Sequence, residues 1–186
     1  MDTSNIIFIT HGQFEANALR TIAGEVAEEL LYPVVIKENF LDLSEFYDQS
    51  RRQYDGNRLL KDIDIMSVQG AVKKIGLYQV DLFIPILTFI FGQALFRGNS
   101  GIVSLYRLKN EQYGMKPDQA LLTDRFRKVI IHELGHTFGL IHCHVPNCVM
   151  RSSTYVEDID QKSFHFCSKC REELSRVPAE QAFPHL

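Results

Sequence analysis

The residues of this 186-residue chain best suited to chemistry lie in one run, HELGHTFGLIHC, at residues 132–143. His132 and His136 stand four apart, so on a helix both imidazoles leave one face and can share a metal ion. Glu133 lies beside the first of them, outside the ligand set, where a carboxylate can hold a water and serve as general base. Gly139 can take a positive φ, which lets the helix stop and the chain swing back. The return brings His142 to the same point as a third nitrogen ligand. Three neutral imidazoles with water in the fourth position describe an open, catalytic zinc site rather than a sealed one. Two histidines four apart are a weak signal alone. The added glycine and third histidine, using three of the chain's seven histidines, make coincidence a poor explanation.

The four cysteines, Cys143, Cys148, Cys167 and Cys170, all fall in the last quarter of the chain. The spacing of Cys167 and Cys170 lets both thiolates bind one ion. Four thiolates in a tetrahedron make a closed, structural zinc site that contributes folding free energy. Two disulfides would need an oxidising compartment, to which nothing in the chain points. A redox-active pair would be expected in a βαβ context, whereas this one follows a polar loop. The expectation is two zinc ions per chain, one catalytic and one structural.

The run at 132–143, Cys148-Val149-Met150 and the C-x-x-C together resemble the archaemetzincins, a branch of the metzincin zinc peptidases. The resemblance implies that His132, His136 and His142 hold the catalytic zinc, that Glu133 is the general base, and that the four cysteines hold a second ion. It also implies that Met150 forms the Met-turn, a tight turn beneath the catalytic metal. The sharp motifs span residues 132–170. Weaker agreement extends upstream through RRQYDGNRLL (51–60), Asp81, FIFGQA (89–94 with its flank) and VSLYRL (103–108). The implied fold is α/β, with a twisted, mostly parallel sheet, an antiparallel edge strand and flanking helices that include the zinc-binding one. A small zinc-stabilised C-terminal lobe completes it. One catalytic domain is expected over 1–186, divided into 1–139, ending with the active-site helix, and 140–186, with the Met-turn and second zinc.

Elements that could position these groups can be read in order. Residues 5–10 (NIIFIT) form a buried strand ending at His11, for which a capping or turn role is expected. Residues 14–32 carry Ala18, Leu19, Ile22, Ala23, Val26 and Leu30 at helical spacing, Pro33 stops them, and 34–37 form a second strand. Strand, helix, strand implies a crossover in a parallel sheet. Residues 39–57 read as a surface connection, 58–75 as a helix weakened by Gly70, and 78–84 as a strand in which Asp81 joins a buried network or cap. Residues 88–95 and 102–108 read as strands around a glycine-rich turn. By resemblance, 88–92 is the edge that rims the cleft, to which an extended peptide can add as a strand. Residues 109–122 read as a polar connection, with Thr123 as N-cap of the helix carrying His132. Beyond Gly139 little pattern appears before a short helix at 170–176, so the lobe is expected to rest on its zinc rather than on a core. Tyr155 is a candidate donor to a developing oxyanion. His144, His165 and His185 are spare histidines that could block the open metal position.

Composition sets the outer bounds. Apolar residues make up 45% of the chain, enough for one sizeable core. A net charge of −3 argues against a nucleic-acid binder that works through a broad basic field. The most apolar stretch, 82–91, is interrupted by Pro85 and falls far short of the roughly 20 residues that span a bilayer. The N-terminus lacks the basic segment of a signal peptide. A cytoplasmic, monomeric zinc peptidase acting on peptide or protein is therefore expected, and the family resemblance suggests aminopeptidase activity. The competing reading is a zinc-stabilised peptide-binding protein with an occluded or non-catalytic site. The presence of Glu133 favours the enzyme.

Overall fold

A computed structural model describes residues 4–176. Strand β1 (Asn5–Thr10) sends Ile6 and Phe8 to one face and Ile7 and Ile9 to the other, all of them buried. That period-two pattern, apolar on both sides, belongs to a strand covered on both faces. Around it, β2 (Val34–Glu38), β5 (Ala71–Tyr78) and β9 (Ser100–Ser104) run parallel, and β8 (Gly92–Ala94) closes the edge antiparallel to β9. The order is β2-β1-β5-β9-β8. Helices α1 (Ala16–Leu30) and α3 (Gln119–Thr137) cover one face. On the other lie α2 (Gly56–Ile65) and a second sheet ordered β3 (Tyr47–Asp48), β4 (Gln53–Asp55), β6 (Leu82–Ile84), β7 (Leu87–Ile90). This is the expected mostly parallel sheet with an antiparallel edge strand and flanking helices; the second sheet is additional.

Several boundaries differ from the sequence reading, each for a local reason. The helix expected over 58–75 stops at Ile65. Gly70, at φ 74°, turns the chain into β5. Lys73 and Lys74 disguised that strand, yet both are buried. Lys73 Nζ donates to the carbonyls of Gly98 and Thr137, and Lys74 Nζ to those of Asp64 and Met66, so each amine finds backbone oxygen while its stem packs. The strand expected over 78–84 is therefore split between the end of β5 and β6. Helix α3 starts before Thr123: Asp118 accepts from the Leu121 N–H at 2.9 Å and caps it, while the Thr123 hydroxyl donates back to Gln119 O inside the helix.

The chain after Gly139 also carries more structure than expected. Helix α4 (Val156–Asp160) precedes α5 (Ser168–Ser175). Cys148, Val149, Met150, Val156, Ile159 and Phe166 are buried in the same apolar cluster as Phe8, Val26 and Leu134. This region thus shares the main core. Polar clamps add to it. Arg125, 2% exposed, makes a bidentate pair with Asp160 at 2.7 Å, and Glu29 accepts from the Phe166 N–H and from Arg171. Among the described residues, no helix is long and apolar enough to cross a membrane. The proline-broken tail, 177–186, with His185, lies outside the described residues.

Candidate active site and metal centres

Helix α3 carries His132, Glu133 and His136 and ends two residues before Gly139. Gly139, at φ 94°, and Leu140 close its end: Gly139 N–H donates to His136 O and Leu140 N–H to Gly135 O, at 3.0 and 2.9 Å. This is a Schellman motif, with glycine at the left-handed position. It also aims the Leu140 carbonyl at His136, whose Nδ1 lies 2.8 Å from it. His132 Nδ1 meets Val149 O at the same 2.8 Å. A carbonyl can only accept, so in both rings Nδ1 carries the hydrogen and Nε2 is left bare. The two bare Nε2 atoms face each other at 3.1 Å. The turn delivers His142 beside them, and a ligand nitrogen from each of the three histidines lies within 4.8 Å of the others. Burial lowers the pKa of all three imidazoles, His132 most strongly, so they are neutral near pH 7, the form a metal requires.

The cysteines form a second cluster directly behind. Cys143 Sγ is 3.8 Å from Cys167 Sγ, and Cys148 Sγ is 3.7 Å from Cys170 Sγ. Zinc–sulfur bonds of about 2.3 Å in a tetrahedron give sulfur–sulfur edges of about 3.8 Å. The four thiols therefore already have the spacing of a zinc site, and no pair among them is bonded. The Val145 and Cys167 N–H groups point at sulfurs of Cys143 and Cys148. The two clusters are coupled through Met150. It is fully buried, its carbonyl accepts from the Cys143 N–H at 2.9 Å, and its side chain lies under α3. Gly135 makes room for it, since a Cβ there would sit 2.5 Å from Met150 Sδ. A glycine inside a helix costs about 1 kcal/mol relative to alanine. The methionine packed against it is the reason it is there.

Glu133 is 7% exposed and leans toward the edge strand. A Cβ at Gly92 would meet Glu133 Cγ at 2.8 Å and Ile102 O at 2.8 Å. Burial pushes the Glu133 carboxyl up to about 8, partly offset by the charge of Lys162. A cation held by the three imidazoles would lower it further. Above these groups opens a cleft of about 560 Å³. One wall is the run from β7 through Phe91 into β8, the free edges of both sheets, which contains the expected rim at 88–92. Because Ser104 N–H donates to Phe91 O and Leu95 N–H to Ser100 O, the antiparallel alternation turns the peptide groups of Gly92 and Ala94 away from β9. The opposite wall is residues 152–155 with Val129, Ile159 and Lys162.

Of the other residues singled out by sequence, Tyr155 lines this cleft and is 66% exposed. Asp81 lies in a buried network, paired with Arg107 and accepting from Gln53. The His11 side chain neither caps nor bonds: it stacks on Tyr78 at 4.4 Å, with both ring nitrogens buried and unpartnered among the described residues. His165 is engaged by Glu29 at 3.0 Å, and His144 is exposed and outside both clusters. Gly135 and Lys162 were missed, and Gly92, though inside the expected rim, was not singled out for its close approach to Glu133. Only the glycine inside a strong helical pattern was a visible signal.

Comparison with known proteins agrees with this geometry. The family model described as Peptidase family M54 matches residues 17–176. The archaemetzincin of Methanopyrus kandleri is 39% identical over 154 residues, covering 82% of this chain and 83% of its own. That of Methanocaldococcus jannaschii is 38% identical over 128 residues, 69% of each chain. The crystal structure of the Methanopyrus kandleri protein superposes with a TM-score of 0.82 at 33% identity, over 95% of this chain and 96% of that one. A zinc-dependent peptidase from Methanocorpusculum labreanum gives the same TM-score at 29% identity, over 91% and 100%. A chain matched along this length, with the histidine and cysteine clusters in place, belongs to peptidase family M54, the archaemetzincins, and is a metallopeptidase.

Proposed function

We propose that this chain hydrolyses peptide bonds at a zinc ion held by His132, His136 and His142, with Glu133 as base and a second, structural zinc on Cys143, Cys148, Cys167 and Cys170. The observation that carries this reading is the convergence of two bare Nε2 atoms and His142 at the floor of a cleft walled by a free strand edge. The donor sets fit the metals: three neutral nitrogens leave a position open, whereas four thiols close theirs. Bound at the histidines, zinc would supply Lewis acidity toward the scissile carbonyl and acidify a water. An extended substrate adds to the Gly92–Ala94 edge, which fixes the position of its carbonyl. Glu133, pressed against that edge, takes the proton of the attacking water and hands it to the leaving amine. Tyr155, which lines the cleft, serves as the candidate donor to the oxyanion. Met150 acts as the floor under the histidines.

Among the described residues, Glu133 is the only acidic one lining the cleft, so a free α-amine finds no carboxylate there to anchor it apart from the base itself. This favours cleavage within an extended peptide over removal of an N-terminal residue. Residues 1–139 and 140–186 then act as two halves of one catalytic domain, with the cleft between them. The test is metal content per chain for wild type and Glu133→Gln, paired with digestion of a mixed peptide library. Two zinc ions in both proteins, with internal cleavage by wild type alone, is the expected result. Two zinc ions with no cleavage by either would replace this reading with that of a peptide-binding protein.

A further inference from the structure

Lys162 is a charged group of the cleft that the hydrolytic reading leaves unused. It follows α4 and is 5% exposed, and it lines the same cavity as Glu133, Val129, Ile159 and Tyr155. Its Nζ makes a single hydrogen bond among the described residues, to Arg151 O at 2.7 Å, and no carboxylate lies within ion-pair reach of it. An ammonium has three donors, so two are left for something that enters the cleft. The contrast with the other buried lysines is informative. Lys73 and Lys74 each satisfy two or more acceptors, and Lys128 pairs with Asp124 at 2.5 Å. A buried cation with no direct ion pair is costly, and Lys162 feels Glu133 and Cys148 only at longer range.

A second, independent observation lies on the same wall. Ser153 Oγ is buried, lines the cleft and has no hydrogen-bond partner. The remaining charges also favour an anion. Among the described residues, Glu133 is the only carboxylate in the lining, set against Lys162 and the dication that the histidines would hold. We propose that Lys162 is a specificity residue whose ammonium, with the Ser153 hydroxyl, binds the carboxylate of an acidic substrate side chain seated against the wall of residues 152–155. This rests on the peptidase reading for the path of the substrate. The structural alternative is that Lys162 balances the negative charge of the four-thiolate centre through the core. It predicts loss of metal and no effect on substrate choice.

The test uses the zinc-loaded chain and peptides that differ only in carrying Glu or Gln, scanned through the positions flanking the scissile bond. A charged hydrogen-bonded contact is expected to favour Glu over Gln at one position by about tenfold or more in kcat/KM. Lys162→Met should bring that ratio to about one with metal content retained, Lys162→Arg should keep part of it, and Ser153→Ala should reduce it several-fold. Should Lys162→Met lose metal or fail to fold, the wild-type ratio and Ser153→Ala still decide. No Glu preference at any position in wild type, or a preference untouched by Ser153→Ala and by any folded Lys162 variant, overturns the proposal. Fluorescence anisotropy with zinc-loaded Glu133→Gln separates the two readings. Selective binding of Glu peptides that wild type never cleaves refutes the peptidase and keeps the anchor. Cleavage without selectivity does the reverse.

Discussion

Replacing Gly135 by alanine sets two calculable effects against each other. Helix propensity alone says the variant gains about 1 kcal/mol, because glycine is the poorer helix former in a helix interior. The structure says otherwise: the new methyl would lie 2.5 Å from Met150 Sδ, 3.1 Å from its Cε and 3.3 Å from Phe166 Cε1, with Met150 fully buried. Forcing an extra carbon into a packed core costs about 1–3 kcal/mol. The net expectation is a loss of about 1 kcal/mol, or roughly 2–4 °C in Tm for a chain of this size. The functional effect should exceed the stability effect. The Cys143 N–H is held by Met150 O, and His132 by the carbonyl of neighbouring Val149. A displaced Met150 therefore moves groups that orient both metal centres. Disturbing such orienting partners weakens metal affinity by about 10–100-fold. Melting curves and zinc competition titrations on Gly135→Ala, Met150→Ala and the double variant form a thermodynamic cycle. With Met150 trimmed, the alanine should stabilise rather than destabilise, giving a coupling of about 2 kcal/mol. A gain of about 1 kcal/mol in both backgrounds, with zinc affinity unchanged, would refute the argument.

Other perturbations test other contacts. Gly92→Ala places a methyl 2.8 Å from both Glu133 Cγ and the Ile102 carbonyl, and the backbone carbonyl cannot yield. Displacing the base by about an ångström should lower kcat by about 100-fold, read by steady-state kinetics beside a denaturation midpoint. Cys170→Ser should remove the structural metal and, because Cys143 adjoins His142, weaken the catalytic one as well; metal analysis that finds the histidine-bound ion unaffected would contradict the coupling. His11 gives a pH signature, because burial lowers its pKa from 6.5 to about 4. The unfolded chain takes up that proton first, so stability is complete above about pH 6.5 and is lost as pH falls toward 4, by about 2 kcal/mol at pH 5. His11→Phe should keep the stack on Tyr78 and reduce the wild-type slope between pH 7 and 5 measured by chemical denaturation, leaving the share of buried His132, His136 and His142 in place; equal slopes would refute the assignment.

The histidine and cysteine clusters were legible in sequence because their spacing is local. His132 and His136 share a helix face, Gly139 turns the chain, and Cys143 follows His142 at once. The parallel sheet was legible from β1, α1 and β2, where period and length agree. What escaped depended on contacts distant in the chain. Lys73 and Lys74 look like surface residues until carbonyls of Asp64, Met66, Gly98 and Thr137 are brought to them. Asp118 and Thr123 are both competent N-caps, and only the helix register decides between them. The C-terminal region looked coreless because its apolar residues are scattered, yet Val149, Val156, Ile159 and Phe166 each find partners in the first half of the fold. Lys162 sits in a polar run of residues, and no pattern there distinguishes a cleft wall from a solvated face.

On the proposed reading, the geometry also explains why Glu133, and not a residue elsewhere on the helix, would act as base. Successive helical residues are about 100° apart around the axis. The face that turns His132 and His136 toward the carbonyls of Val149 and Leu140 therefore turns Glu133 toward β8. Its carboxylate lies between the metal ligands and the strand edge on which a substrate would lie. Gly92 permits that approach on the strand side, and Gly135, on the opposite side of α3, permits the approach of Met150. The helix is thus clamped by two close contacts that admit no side chain. Enlarging either glycine should misplace a different reacting partner, the base in one case and the metal in the other. A loss in kcat at constant zinc affinity for Gly92→Ala, opposed to a loss in zinc affinity for Gly135→Ala, is the pattern this clamp requires.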